Sequence, residues 1–494
     1  MRLSRVTCLL LVGLLSACAS SPSPTATPNV APATATAAIS PTATATPLPT
    51  ATPLPTATPA PTPQTLTLRA DAACQQALED AGVALPTQLV VAGQVYQVSV
   101  MPDGAADITL TLAPALQASN ALAVRYLAAV VPFRSLQDEI TSAEIETAWA
   151  NGEGLTLIVD PQVAAALEAT WGAPHGAVTV TTVTAELLAE KDAIGLVSFE
   201  QLDPTLKVLH VDGQDVLSNQ FDPATYPLGV ALVAEAEADL TAQLVPLVAL
   251  WANRDAERLT QLVMTGVTAM CRLTAARMEE HGYTYPAEIV GPVLRQADIT
   301  HVSNEVPFIK GCPVDISSDS LVFCSDYGYW DALAAVGTDI VGLSGNHVND
   351  HGYAGAAESL AYYESLGVPV YGSGLDVDAA CQPLMWEDHG NTFAFVGALA
   401  FDPQYAWATE DEPGACYYYD NKERILDLVR TLDKQVDVVS VELQYYETYH
   451  PFPTAQQVVE FRELRAAGAD LVTGVQSHVP QAWEPYGAGA TGGP

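Results

Sequence analysis

Positive charge is what this sequence has least of: 19 Lys and Arg stand against 57 Asp and Glu in 494 residues, a formal net charge of -38. A surface of that sign repels phosphate backbones, so nucleic acid is excluded as a partner. Cysteine is sparse, and none of the eight falls in a C-x-x-C spacing, so no metal or redox motif of that kind is present. Beyond Leu15 no apolar run approaches the length that spans a bilayer. Hydrophobic residues still make up 49% of the chain, enough to build the cores of two or three domains.

The chain starts MRLSRVTCLLLVGLLSAC, with Arg2 and Arg5 ahead of the apolar run Val6–Leu15. That run is too short for a transmembrane helix and, before small residues, reads as a signal peptide. Leu15-Ser16-Ala17-Cys18 resembles the bacterial lipobox, which implies cleavage before Cys18 and acylation of its thiol by diacylglycerol, palmitate included. Residues 1–17 are then a signal peptide, and the expected location is extracytoplasmic, anchored in the cell membrane by lipid on Cys18. Residues 18–64 are almost all Pro, Thr, Ala and Ser with repeated ATPLPT units, the composition of an extended stalk with nothing to bury. Export permits disulfides, and Cys312 and Cys324 are the expected pair by proximity, with Cys381 and Cys416 second; connectivity among the six remaining cysteines stays open.

Residues 65–240 alternate strand-like runs (155–159, 178–183, 194–199, 206–211) with helical spacing at 135–149, 161–171 and 185–191, where Asp160 and Thr184 stand as N-caps. This is an α/β layer pattern. The segments VVPFRSLQDEITSAEIETAWANGEG and AIGLVSFEQLDPTLKVLHVDGQDVLSNQFDPATYPLGVALV resemble phosphate-type periplasmic solute-binding proteins, although no Thr/Ser-Gly-Ser phosphate loop is present. Residues 241–258, within a helix-like acidic stretch 234–258, read as a linker.

Residues 259–494 form a second α/β domain with strands expected at 259–266, 298–304, 339–344, 368–371, 392–399, 436–443 and 469–474. Helices are expected at 273–281, 328–336, 354–366, 422–433 and 455–467, with Gly282, Gly337, Gly367 and Gly468 where they stop. Four strands end in polar residues: Asn304-Glu305, Asn346-His347 with Asp350, Glu442 with Gln444, and Gln476 with His478. In open α/β sheets the carboxyl ends of strands are where sites assemble, so these residues are expected in one pocket.

At these residues TDIVGLSGNHVNDHG resembles the Asn-His-x-x-Asp-x-Gly motif of the CapA family, tied to poly-γ-glutamate capsule synthesis and built on a metallophosphatase-like fold. ADITHVSNEV and GADLVTGVQSHVPQAWEPY resemble two further segments of that family, in the same order. The departures are Val267 where the family has an aspartate after its first strand, Gln444-Tyr445-Tyr446 in place of His-Trp-Gly, and Gln476 in place of the first His of a Gly-x-His-x-His pair. The resemblance also implies that GAGATGGP ends the chain short of a further family strand, which would leave a sheet edge unpaired.

The fold expected is thus a solute-binding-protein-like α/β domain followed by a metallophosphatase-like α/β layered domain. By the resemblance, Asn346 and His347 hold and protonate an oxyanion, while Glu305, His478 and Gln444 hold one divalent metal rather than two. Asn304, Asp350, Glu442, Glu447 and Gln476 support them, Asp350 alternatively capping the next helix. Two functions follow: a metal-dependent hydrolase serving synthesis of an anionic exopolymer, or a non-catalytic module binding such a polymer or a small anion.

Overall fold

The computed structural model describes residues 64–317 and 319–487. The signal segment, Cys18 and the stalk up to Pro63 lie outside the described residues. From Thr65 onward the described chain is one compact unit. It contains one hydrophobic core ahead of Leu259 and several smaller ones beyond it.

The first core lies on a ten-stranded mixed sheet. Gly229–Glu235 runs antiparallel between Ile108–Pro114 and the long strand Ala121–Pro132, and Ala193–Ser198 and Thr156–Val159 continue the sheet beyond it. Local chemistry sets the helices. Asp160 accepts a hydrogen bond from the Gln162 amide, and Pro161 occupies the first turn of Pro161–Trp171, where an N–H would have no intrahelical partner. Thr184 caps Ala185–Lys191 in the same way. The helix expected from Ser135 begins only at Ser142. Glu139-Ile140 pairs as a strand with His210-Val211, and a reciprocal cap between Thr141 and Glu144 fixes the start. Residues 241–258, read as a linker, are packed: the helix Ala238–Leu244 gives way to 3-10 turns at Pro246, and Leu244, Val248 and Trp251 enter the first core.

Beyond Leu259 there are two principal sheets rather than one. Leu262–Thr268, Ile299–Asn304, Ile340–Gly342 and Val370-Tyr371 form a parallel four-stranded sheet. Asn391–Leu399, Val438–Thr448 and Leu471–Ser477 are parallel in the second, which the hairpin strand Leu384–Asp388 completes. Within the described residues Leu471–Ser477 is an edge strand. The sheets face each other closely: the Ser303 hydroxyl of the first donates to Glu442 of the second at 3.1 Å, and a Cβ on Gly397 would come within 2.9 Å of the Gly372 backbone. Helices at Arg272–His281, Trp330–Ala335, Gly352–Leu366, Tyr418–Leu432 and Ala455–Ala467 follow the expected pattern. Gly367 ends Gly352–Leu366 with a left-handed φ of 71°, which glycine adopts at least cost. Cys312–Cys324 and Cys381–Cys416 are bonded, and Cys74 and Cys271 are free. No helix among the described residues is long and apolar enough to cross a membrane.

Candidate functional site at the strand ends

The two sheets deliver four polar side chains to one point. Glu305 follows the strand Ile299–Asn304, Asn346 follows Ile340–Gly342, and Gln444 and Gln476 lie near the carboxyl ends of strands in the second sheet. The amide nitrogen of Gln444 sits 3.1 Å from Glu305 Oε2, 2.6 Å from Asn346 Oδ1 and 3.0 Å from Gln476 Oε1. A carboxamide carries two N–H donors, so three acceptors compete for them. Gln476 donates in turn to Asn346 Oδ1 at 3.4 Å. Gln444, Asn346 and Gln476 are all buried. Two local features make the convergence work. A Cβ on Gly345 would lie 2.5 Å from Glu305 Cα, so only glycine lets the Asn346 loop close on Glu305. Gln476 holds φ at 86°, a conformation that costs a non-glycine residue energy.

His347 stands beside this quartet. Its Nδ1 is 2.7 Å from Asp350 Oδ2, while Asp350 also accepts from the Phe323 amide at 2.7 Å and the Tyr405 hydroxyl at 3.1 Å. Asp350 is therefore an anchor for His347 rather than a helix cap. The Phe323 ring packs 4.6 Å from the imidazole, next to the Cys312–Cys324 disulfide. Burial pulls the His347 imidazole down, but the Asp350 hydrogen bond and the charges of Asp350, Glu305 and Glu447 outweigh it, and the net direction is up. Burial raises the Glu305 carboxyl above its ordinary range despite His347, Gln444 and His478, which draw it down. Relative to their free forms, the imidazole is more readily protonated and the carboxyl less readily ionised.

The other expected residues have different places. His478 is exposed at the rim, 3.5 Å from Glu447. Asn304 is fully buried and is scaffold, donating to the Val306 carbonyl and the Tyr363 hydroxyl, both at 2.9 Å. Glu442 lies beneath the site, accepting from Ser303 and Ser344. Sequence reasoning overlooked Phe323, Tyr405 and His301, and it gave the free Cys271 no role. Burial, Glu305 and Asp350 push the Cys271 thiol up to about 11, so it is no thiolate nucleophile near neutrality.

A divalent metal at Glu305, His478 and Gln444 was the expectation, and the donor set does not fit one. Gln444 turns its N–H groups, not an oxygen, toward Glu305. The strand Leu262–Thr268 brings Val267 into register with Ser303, where the family pattern has a carboxylate. Among the described residues, the carboxylate and imidazole groups that gather in a set of three within 4.8 Å are Asp298, Asp388 and His389. They lie at the amino end of the strand Ile299–Asn304, away from Glu305. There Asp298 accepts from Asn219 at 2.6 Å and the Gln261 amide at 2.7 Å, and Asp388 accepts from Thr260 at 2.8 Å, so these carboxylates already latch neighbouring segments together.

Parallel strands with polar residues at their carboxyl ends, in two facing layers flanked by helices, make the second domain a metallophosphatase-like α/β domain. Residues 261–491 match the family model described as bacterial capsule synthesis protein PGA_cap. Relatives include the capsule biosynthesis protein CapA of Bacillus anthracis, 22% identical over 268 residues that cover 53% of this chain and 64% of that protein. A probable polyglutamine synthesis accessory protein of Mycobacterium tuberculosis is 28% identical over 164 residues, 31% of this chain and 43% of that one. The chain thus spans less than two thirds of the curated relatives it matches. Among solved structures, an ABC-type phosphate transport receptor from Vibrio cholerae is similar at 13% identity and a TM-score of 0.25, covering 38% of this chain and 93% of that one. A hypothetical protein from Thermus thermophilus is similar at 18% identity and a TM-score of 0.28, covering 46% and 71%.

Proposed function

We propose that this chain is a lipid-anchored, extracytoplasmic protein that serves synthesis of a capsule-type anionic polymer of the poly-γ-glutamate class, and that its C-terminal site holds the polymer without a resident metal. The names of the relatives point to the polymer, and the lipobox-like Cys18 points to the anchor. The observation that carries the site reading is the Gln444 amide at the meeting point of Glu305, Asn346 and Gln476. Such a cluster exchanges internal amide hydrogen bonds for equivalent ones to an amide-linked chain. His347, oriented by Asp350 and more readily protonated than a free imidazole, meets a side-chain carboxylate, while burial disfavours the charged form of Glu305 beside it.

A hydrolytic reading has one observation in its favour: the oriented His347–Asp350 pair beside a half-buried carboxyl is an acid–base arrangement. Titrating a fluorescent γ-glutamyl oligomer into the full chain in chelator tests both. Binding should weaken as pH rises through the raised His347 value, because the cation is lost, and His347→Gln should abolish that dependence and weaken acid-side binding about tenfold. Shortening of the oligomer, lost in His347→Gln, would establish hydrolysis. Binding that appears only with added divalent metal would overturn the proposal.

A further inference from the structure

The strand-end site carries a negative charge that an anionic chain alone leaves unmatched. Around it the carboxylates of Glu305, Asp350 and Glu447 stand against the imidazoles of His347 and His478. Asp350 is committed to His347, the Phe323 amide and the Tyr405 hydroxyl, and Glu305 accepts from Gln444. Glu447 differs from both. Its side chain is 48% exposed, and Oε1 lies 3.5 Å from His478 at the rim, which leaves Oε2 without a hydrogen bond among the described residues. Its charge still reaches inward, because Glu447 is among the carboxylates that raise the His347 imidazole.

His347 turns Nδ1 to Asp350, so Nε2 is the nitrogen that a ligand can meet. Tyr449, 69% exposed, packs 4.8 Å from the His478 ring on the same rim as Glu447. The face of a tyrosine ring attracts cations and offers nothing to a carboxylate. An interior residue of a γ-linked glutamyl chain has its amine in the amide link and presents only an α-carboxylate, which Glu447 repels. The amino-terminal residue keeps a free α-ammonium on the same carbon as its α-carboxylate. Those two groups lie about 3 Å apart and each reaches a partner at about 3 Å, so one terminal residue spans protein groups up to about 9 Å from each other.

We infer that the site recognises the amino-terminal residue of the polymer rather than its interior: His347 takes the α-carboxylate and Glu447 the α-ammonium, with Tyr449 beside it. The inference rests on the reading of this site as one that holds a γ-glutamyl chain. It gives the exposed Glu447 a function that a site for the bare polyanion would deny it, since an unmatched carboxylate at the mouth would only weaken binding.

Two γ-glutamyl oligomers of equal length, both labelled at the carboxyl end, one with a free amino terminus and one N-acetylated, test this when titrated into the full chain at about pH 6, below the ordinary imidazole value. The free-amino oligomer should bind about fivefold more tightly. Glu447→Gln should remove that preference by weakening the free-amino oligomer, while the N-acetylated one binds no more weakly than before. Because Glu447 is half exposed, the melting temperature of the variant should match wild type. Equal binding of the two oligomers by the wild type, or a preference that survives Glu447→Gln, would overturn the inference and leave polymer binding standing. Binding of neither oligomer would remove the polymer reading, and the inference with it.

Discussion

Replacing Glu442 by glutamine should make the protein more stable above neutral pH and hardly change it in acid. Glu442 is fully buried between the two sheets of the second domain. One carboxyl oxygen accepts from Ser303 at 3.1 Å and Ser344 at 3.2 Å, while the other has no hydrogen bond and lies 3.9 Å from His301 Nε2. His301 gives little help, because burial lowers its imidazole to about 4 and keeps it neutral. Burial raises the Glu442 carboxyl from 4.5 to about 7, with the two serine bonds opposing. Between those values the unfolded chain has released this proton and the folded chain retains it, so stability falls as pH rises. The contribution is complete below about 4.5 and lost as pH climbs through about 7. At about 1.4 kcal/mol per tenfold change in proton affinity, the whole effect is roughly 3 kcal/mol. Urea denaturation followed by near-ultraviolet circular dichroism, at about pH 5 and about pH 8.5, should show Glu442→Gln close to wild type in acid and some 2–3 kcal/mol more stable in base. Parallel pH profiles for the two proteins would show that Glu442 does not titrate differently in the folded and unfolded chains.

Three further outcomes are expected. Gly345→Ala should destabilise the second domain by about 1–3 kcal/mol in thermal or urea melts, because its Cβ would press on the Glu305 backbone rather than on a side chain that can move. Asp350→Asn should lower the His347 imidazole pKa, read by NMR titration of the ring protons, since Asp350 supplies both a hydrogen bond and a charge that raise it. Cys18→Ser should shift the protein from the membrane fraction to the soluble one in cell fractionation without changing its melting temperature, because the lipobox-like thiol is the expected attachment point.

Much of the second domain was legible because its strands and helices are regular and its helix ends carry glycine. The helix Ala455–Ala467 coincides with its expected bounds, and Pro161–Trp171 does so in the first domain. What period alone cannot show is sheet membership. Val370-Tyr371 and Asn391–Leu399 read as successive strands, yet the hairpin through Leu384–Asp388 places the second of them in a different sheet. The strand-end residues were legible as a cluster, but their hydrogen bonding was not. Nothing in the composition of Gln444-Tyr445-Tyr446 says that the amide nitrogen, not the oxygen, faces Glu305. Phe323 and Tyr405 were invisible for a related reason: both come from irregular segments that reach Asp350 through a backbone amide and a phenol, groups without a sequence signature.

If the Glu305–Asn346–Gln444–Gln476 cluster works without a resident divalent metal, the metal content of the purified protein will not depend on it. Wild type, Glu305→Ala, His478→Ala and Asp388→Asn, purified without chelator and dialysed, should be compared by plasma mass spectrometry. Glu305→Ala and His478→Ala should retain whatever metal the wild type carries, so that any bound ion responds only to Asp388→Asn. One equivalent of metal present in the wild type and lost in both Glu305→Ala and His478→Ala would contradict it.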